Sequence, residues 1–271
     1  MKKEKAEKPE NATETTEGEK PKKAVGRGSP PYLPGQKDKY PLSRSKISDF
    51  FVCPRCFFMD LRHKTKPPSG PTFSLNNAVD ALMKREFDTY RVAGKPHPLM
   101  EQAEIVAVPF QHPEFEDWRN TRKGLRVLHE ETGFEVFGAV DDIWQEKDGT
   151  GRLIVADYKC TAKKDEVNSI EGGWGPGYKR QAEIYQWILR KKGFDVAPTA
   201  WFVYANGCSD KAMFGEKLEF RMTMIRHEGE TEWVDGTLQQ IKALLEAQKA
   251  PEPSETCGHC KFLAKIKELG Q

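Results

Sequence analysis

The sequence predicts an α/β fold, a mixed central sheet flanked by helices, and three observations carry that prediction. The stretch VFGAVDDIWQEKDGTGRLIVADYKC (136–160) reads as two hydrophobic strands joined by a Gly-rich turn, with Asp148 and Gly149 supplying hairpin chemistry. It is followed by GYKRQAEIYQWILRKKG, a helix that ends in cations and Gly193, and then by TAWFVYA (199–205), a buried strand. Upstream, SLNNAVDALMKREFDTYRV sets Val79, Leu82, Met83, Phe87 and Tyr90 at helical spacing, an amphipathic helix with Asn76 or Asn77 as its N-cap.

The remaining elements follow in order. Residues 1–41 mix Lys, Glu, Pro, Thr and Gly with hardly a bulky apolar side chain, so a disordered, solvating tail is expected there, followed by one domain over 42–271. In LSRSKISDFFVCPRCFFMDLR, Ser48 and Asp49 are placed to open a helix or turn ahead of the aromatic run. AEIVAVPF (103–110) has strand character, and the region from Trp118 to His129 reads as helix. Finally, EWVDGTLQQIKALLEAQK carries Leu238, Ile241, Leu244 and Leu245 on a helical stripe that stops before Pro251.

Composition narrows the setting. Hydrophobic residues at 37% and charged residues at 31% describe a water-soluble chain, and no apolar run of roughly 18 residues is present to span a bilayer. The basic start lacks an apolar segment behind it, so it does not read as a secretory signal, and a cytoplasmic location without membrane attachment is expected. A net charge of +2 confines any nucleic-acid surface to a local patch.

The predicted hairpin poses a chemical question, because Asp141, Asp157 and Lys159 sit among strand-forming, buried-type residues. Burying a charge is costly unless it is paired or binds a metal. Alternation along a strand sends Asp157 and Lys159 to one face and Tyr158 and Cys160 to the other. In simple hairpin register Asp141 reaches the same cleft as Asp157. Two carboxylates converging with a lysine suit metal-assisted phosphodiester cleavage, the carboxylates holding hard Mg²⁺ and the ammonium positioning the attacking water. Gln181 and Tyr185, four apart on the following helix, project together toward that cleft.

FGAVDD, LIVADYKC and RQAEIY resemble, in order and spacing, motifs of the PD-(D/E)XK nuclease superfamily, specifically its RecB-like branch. That branch includes CRISPR-associated RecB-like exonucleases and the nuclease domains of helicase-nucleases. The resemblance covers roughly residues 43–263 and implies a restriction-endonuclease-like core. Asp141 matches the aspartate of a G-x-x-D motif, Asp157 and Lys159 the D-x-K pair, and Gln181 and Tyr185 the Q-x-x-x-Y of the next helix. The resemblance implies that these last two steady the lysine and the DNA phosphates. An upstream helix in that branch usually offers a histidine in G-x-x-x-H, whereas this chain has NNAVD, with Asn76 for the glycine and Asp80 for the histidine. Asp80 is an oxygen donor that favours Mg²⁺, so Asp80, Asp141 and Asp157 form the expected catalytic metal set. Glu86, Asp142 and Glu183 are expected to be solvated or supporting residues.

Six cysteines are present, four of them in CPRC (Cys53, Cys56) and CGHC (Cys257, Cys260). Paired CxxC knuckles in a reducing compartment point to one shared metal rather than to disulfides. Such a site would staple the start of the domain to its end. It resembles the iron–sulfur staple of RecB-like exonucleases, which implies a 4Fe-4S cluster, although that branch has one cysteine early and three late. Zinc is the alternative, because both knuckles also look like those of zinc ribbons. Cys160 and Cys208 read as ordinary thiols, and His63 and His259 as surface histidines. The chain is thus expected to be an Mg²⁺- or Mn²⁺-dependent deoxyribonuclease, exonuclease-like, serving DNA repair, recombination or defence. Its implied partners are DNA and a helicase or other repair or defence proteins. The alternative is a nucleic-acid-binding or scaffolding module that kept the fold and lost catalysis, which the Asn76 and Asp80 departures would favour.

Overall fold

The computed structural model describes residues 29–68, 70 and 73–270. In chain order it contains β1 (Tyr40–Ser43), α1 (Arg44–Val52), α2 (Pro54–His63), α3 (Ser74–Ala93), α4 (Pro98–Gln102), β2 (Ala107–Pro109), α5 (Phe115–Arg119), β3 (Leu125–His129), β4 (Phe134–Gly138) and β5 (Asp142–Glu146). The second half adds β6 (Leu153–Thr161), α6 (Gly175–Lys191), β7 (Val196–Gly207), β8 (Phe220–Glu228), α7 (Trp233–Glu246) and α8 (Gly258–Glu268).

The main sheet has strand order β2-β5-β6-β7-β8. Only β6 and β7 run parallel, joined through α6, and the other neighbours are antiparallel, so the sheet is mixed as expected. Strand β6 divides the interior by its pleat. Leu153 and Val155 join the larger core with Ile184 and Ile188 of α6, while Ile154, Ala156 and Tyr158 join a second core with Val79, Met83 and Phe87 of α3. The sheet is therefore sandwiched between α3 and α6.

A smaller sheet, β1-β4-β3, lies beside it. The predicted hairpin stands, β5 pairing antiparallel with β6, but the structure shortens its first strand. The run 136–146 is two strands in two sheets: β4 ends at Gly138 among β1 and β3, and β5 begins at Asp142 in the main sheet. The crossing segment, 139–141, carries Asp141.

Other expectations also shift. The region 118–129 is not a helix: α5 ends at Arg119, Gly124 takes a left-handed φ of 64°, and β3 pairs antiparallel with β4. Sheet pairing overrides the local periodicity. Strand character over 103–110 survives only as β2. Neither asparagine caps α3, whose N-cap is Phe73. Asn76 Nδ2 instead donates to the Cys160 carbonyl at 2.9 Å, tying the helix to β6. Leu82 is exposed, and Arg91 occupies the buried face of that helix instead. Ser48 and Asp49 lie inside α1, which Ser43 caps by accepting from the Lys46 amide.

Residues 1–28 of the expected tail lie outside the described residues, but within 29–41 two tyrosines are packed into the domain. Tyr32 and Tyr40 are buried edge-on against Phe134, the Tyr32 amide donates to Leu61 O at 2.8 Å, and Tyr32 contacts Glu246 and Lys242 of α7. Two aromatic anchors outweigh the polar, Pro-rich composition of this stretch. Strand β8 and helix α8 had no counterpart in the sequence reading.

Candidate active site

Strand β6 presents Asp157 and Lys159 from one face. The Lys159 ammonium pairs with Asp157 Oδ2 and also lies 4.6 Å from the centre of the Tyr178 ring. Gln181, from α6, donates from Nε2 to Asp157 Oδ1. Asp157 is 1% exposed, and its Oδ2 has no hydrogen bond in addition to the ion pair. Burial pushes its carboxyl up to about 7, with Lys159 opposing the rise and Asp141 adding to it.

Asp141 reaches the site from the crossing segment. The backbone amide of Tyr158 donates to its Oδ2 at 3.1 Å, so the register of β6 itself anchors it beside Asp157. Burial raises the Asp141 carboxyl, but Lys84 and Lys159 outweigh burial and leave it below the ordinary carboxylate value. Tyr185 closes the arrangement by donating from its hydroxyl to Ala139 O at 2.5 Å. A Cβ at Gly138 would lie 2.8 Å from Tyr185 Cε1, which gives the glycine three residues before Asp141 a physical reason. Gln181 and Tyr185 project from one helix face toward this site, and their partners are Asp157 and the backbone beside Asp141.

Asp80 stands on α3, and here the sequence reading missed a residue. Lys84, one turn further along, places its ammonium 2.9 Å from Asp80 Oδ2 and 2.8 Å from Asp141 Oδ1. Burial lowers its pKa, and the two carboxylates more than reverse this, keeping it above the ordinary lysine value. The spacing from Asp80 was the available signal. Asp80 does not close on both other aspartates: among the described residues, only the four cysteines form a set of three or more potential ligand atoms within 4.8 Å of one another.

Beneath the site lies a buried charge network. Asp142, fully buried, pairs with Arg91 and accepts from Trp144 Nε1 (3.1 Å) and the Tyr158 hydroxyl (2.6 Å). Arg119 joins it, donating to Asp88 and from Nε to the Asp141 carbonyl at 3.0 Å. Asp142 is thus a supporting residue rather than a solvated one. Glu183 turns away to His227 and Trp233, and Glu86 meets only His97.

The oxygen-only donor set of Asp141 and Asp157, with one buried carboxylate oxygen outside any hydrogen bond, fits a hard divalent cation. Beside it opens a cleft of about 410 Å³ lined by Asn76, Cys160, Lys163, Trp174, Tyr178 and Tyr204.

The four cysteines form a separate centre. Cys53 is the N-cap of α2 and Cys56 lies in its first turn, and Cys257 and Cys260 repeat this placement at the start of α8. Both knuckles thus aim thiols at helix N-termini, where a thiolate is favoured. Sγ separations are 3.4 Å for Cys56–Cys260, 3.7 Å for Cys56–Cys257 and 3.9 Å for Cys53–Cys260. Burial raises the Cys53 thiol, but amides of Cys56 and Ser254 and the neighbouring thiols bring it down to about 7, whereas burial and the neighbouring thiols push Cys56 and Cys260 up. The set fits a metal. Cys160 and Cys208 are outside this group, and His63 is exposed.

With this geometry in place, one comparison shows the family. The model of the PD-(D/E)XK nuclease superfamily matches residues 41–264, so the chain belongs to that superfamily of nucleases. No curated protein matches. Among solved structures, one described as "Crystal structure of SSO0001" is similar over 84% of this chain and 86% of that one, at 14% identity and a TM-score of 0.38. No helix among the described residues is long and apolar enough to cross a membrane.

Proposed function

We propose that this chain is a divalent-metal-dependent deoxyribonuclease of the RecB-like kind, acting on strand ends in repair, recombination or defence. The observation that carries the reading is the meeting of Asp141 with Asp157 and Lys159 at the point where the chain crosses between sheets. A site retained only for binding or scaffolding has no need to hold one buried and one half-buried carboxylate against a lysine.

Asp141 and Asp157 would hold Mg²⁺ or Mn²⁺, with Asp80 adjoining, and the ion would supply Lewis acidity and a more acidic water. Gln181 holds Asp157 by Oδ1, so that Oδ2, paired with Lys159, is the oxygen it would offer to the cation. Lys159, steadied over Tyr178, supplies the fixed positive charge that orients the attacking water and offsets charge developing on the phosphate. Tyr185 and Arg119 fix the backbone on either side of Val140 and so set where Asp141 points. The adjoining cleft supports a nucleic-acid strand: Trp174 and Phe73 on its lining are 80% and 72% exposed, aromatic faces on which bases can stack.

For the cysteines, the sulfur separations favour zinc over the 4Fe-4S cluster. Four sulfurs at about 2.3 Å from one tetrahedral ion are about 3.8 Å apart, close to the separations found, whereas a cluster binds each thiolate to a different iron and spreads them.

Incubation of the purified chain with end-labelled linear and circular DNA, with and without Mg²⁺, tests the activity. Metal-dependent loss of linear DNA with circular DNA spared is expected. DNA binding without cleavage in either Mg²⁺ or Mn²⁺ would replace the enzyme with the binding-module reading.

A further inference from the structure

The carboxylate site contains a cation of its own. Asp80 and Lys84 are one turn apart on α3, and the Lys84 ammonium bridges Asp80 Oδ2 at 2.9 Å and Asp141 Oδ1 at 2.8 Å. The second oxygen of Asp141 already accepts the Tyr158 amide. The place between Asp80 and Asp141 is therefore filled by a tethered ammonium. Asp157 Oδ2 accepts no hydrogen bond and is ion-paired with Lys159, two residues along the same strand.

We propose that Lys84 takes the position of a second metal ion, so that the site accepts a single divalent cation, shared by Asp141 and Asp157, while Asp80 stays engaged by the lysine. The inference rests on the nuclease reading above for the first ion, but it concerns what this chain's own side chain excludes.

Electrostatics decides the outcome. Three carboxylates and two ammoniums meet here, leaving one net negative charge with every group ionised. One divalent ion turns the balance positive, and a second would enter against the ammonium of Lys84 at close range, where like charges in a partly buried site repel strongly. The side chain of Lys84 is 24% exposed, so solvent screens this repulsion only in part. Without the ammonium, Asp80 and Asp141 are left as an uncompensated pair facing each other, which is an oxygen site for a hard cation. Lys84 is thus a positioning residue: it holds Asp141 in place and fixes the number of ions without touching the phosphate.

Calorimetric titration of Mn²⁺ into the full chain, metal already present at the cysteines left undisturbed, tests this against Lys84→Met and Lys84→Arg. The wild type is expected to bind one Mn²⁺. Lys84→Met, which keeps length and helix propensity but loses the charge, should bind a second Mn²⁺ or bind Mn²⁺ roughly tenfold more tightly. Lys84→Arg should restore single occupancy, which a purely structural role would not require. Equal stoichiometry and affinity, within twofold, in wild type and folded Lys84→Met would overturn the inference and leave the nuclease reading intact. No Mn²⁺ binding by any of the three proteins would overturn both. Binding by Lys84→Met alone would overturn the inference as well, because the wild-type site would then accept no divalent cation.

Discussion

The two centres of this protein are built on opposite plans. The cysteine centre joins two copies of one local device, a CxxC knuckle at a helix N-terminus, and its sulfurs already stand at the spacing of ligands around a single ion. The carboxylate centre joins unlike parts: a strand, a crossing segment and two helices. It neutralises its acids internally with Lys84 and Lys159. A closed tetrahedral shell leaves no room for substrate, whereas a site held by displaceable side chains does. On the proposed reading, the contrast separates a centre suited to metal that maintains the fold from one suited to metal that does chemistry.

The largest expected effect lies at the cysteines. Cys257→Ser should lower the melting temperature by roughly 10 °C or more, since structural metal supplies of order 10 kcal/mol to small zinc domains and a share of that here. Metal analysis should find one zinc per wild-type chain in a colourless protein. An unchanged melting temperature would break the comparison, and a brown, iron-containing protein would contradict the zinc assignment.

At the other centre the order reverses, with activity falling and the fold persisting. Asp157→Ala and Lys159→Ala should each reduce cleavage at least about a hundredfold, the loss of about 3 kcal/mol of transition-state stabilisation, with melting little lowered. Activity within a few-fold of wild type would move the chemistry elsewhere.

Gly138→Ala should act on both properties, because its methyl group would strike Tyr185. About 2 kcal/mol of stability and part of the activity should be lost, measurable by denaturant titration and cleavage on the same sample.

The smallest effect is a pH dependence. In metal-free protein the Asp157 carboxyl is raised to about 7 from 3.8, so the folded state holds a proton that the unfolded chain releases. The contribution of this group therefore diminishes stability as pH rises from about 4 to about 7. Asp157→Asn removes that dependence, so its melting temperature relative to wild type should climb over this interval. A constant difference would show that Asp157 is not held protonated.

How much was legible follows from how local each signal is. The alternation that places Asp157 with Lys159 is a property of one strand, and the Gln181–Tyr185 pair of one helix, so both were readable. The knuckles were readable for the same reason. The route by which Asp141 arrives was not, because 136–146 is continuous in hydrophobicity yet changes sheets at Gly138, a break enforced by Tyr185 from far along the chain. Lys84 was not singled out because its second partner, Asp141, lies 57 residues away. The buried Arg91–Asp142–Arg119 network was hidden similarly, since charged residues are expected outside unless their partners are known. Strand β3 was misread because pairing with β4 is visible only in three dimensions.

The claim that two separate metals serve two separate tasks is tested most directly by anomalous diffraction from Mn²⁺-soaked crystals, recorded at the zinc and manganese edges. The account predicts a zinc peak enclosed by the sulfurs of Cys53, Cys56, Cys257 and Cys260, and one manganese peak against Asp141 and Asp157. Manganese absent from the two aspartates in a protein that still cleaves DNA, or an iron signal among the four sulfurs, would contradict it.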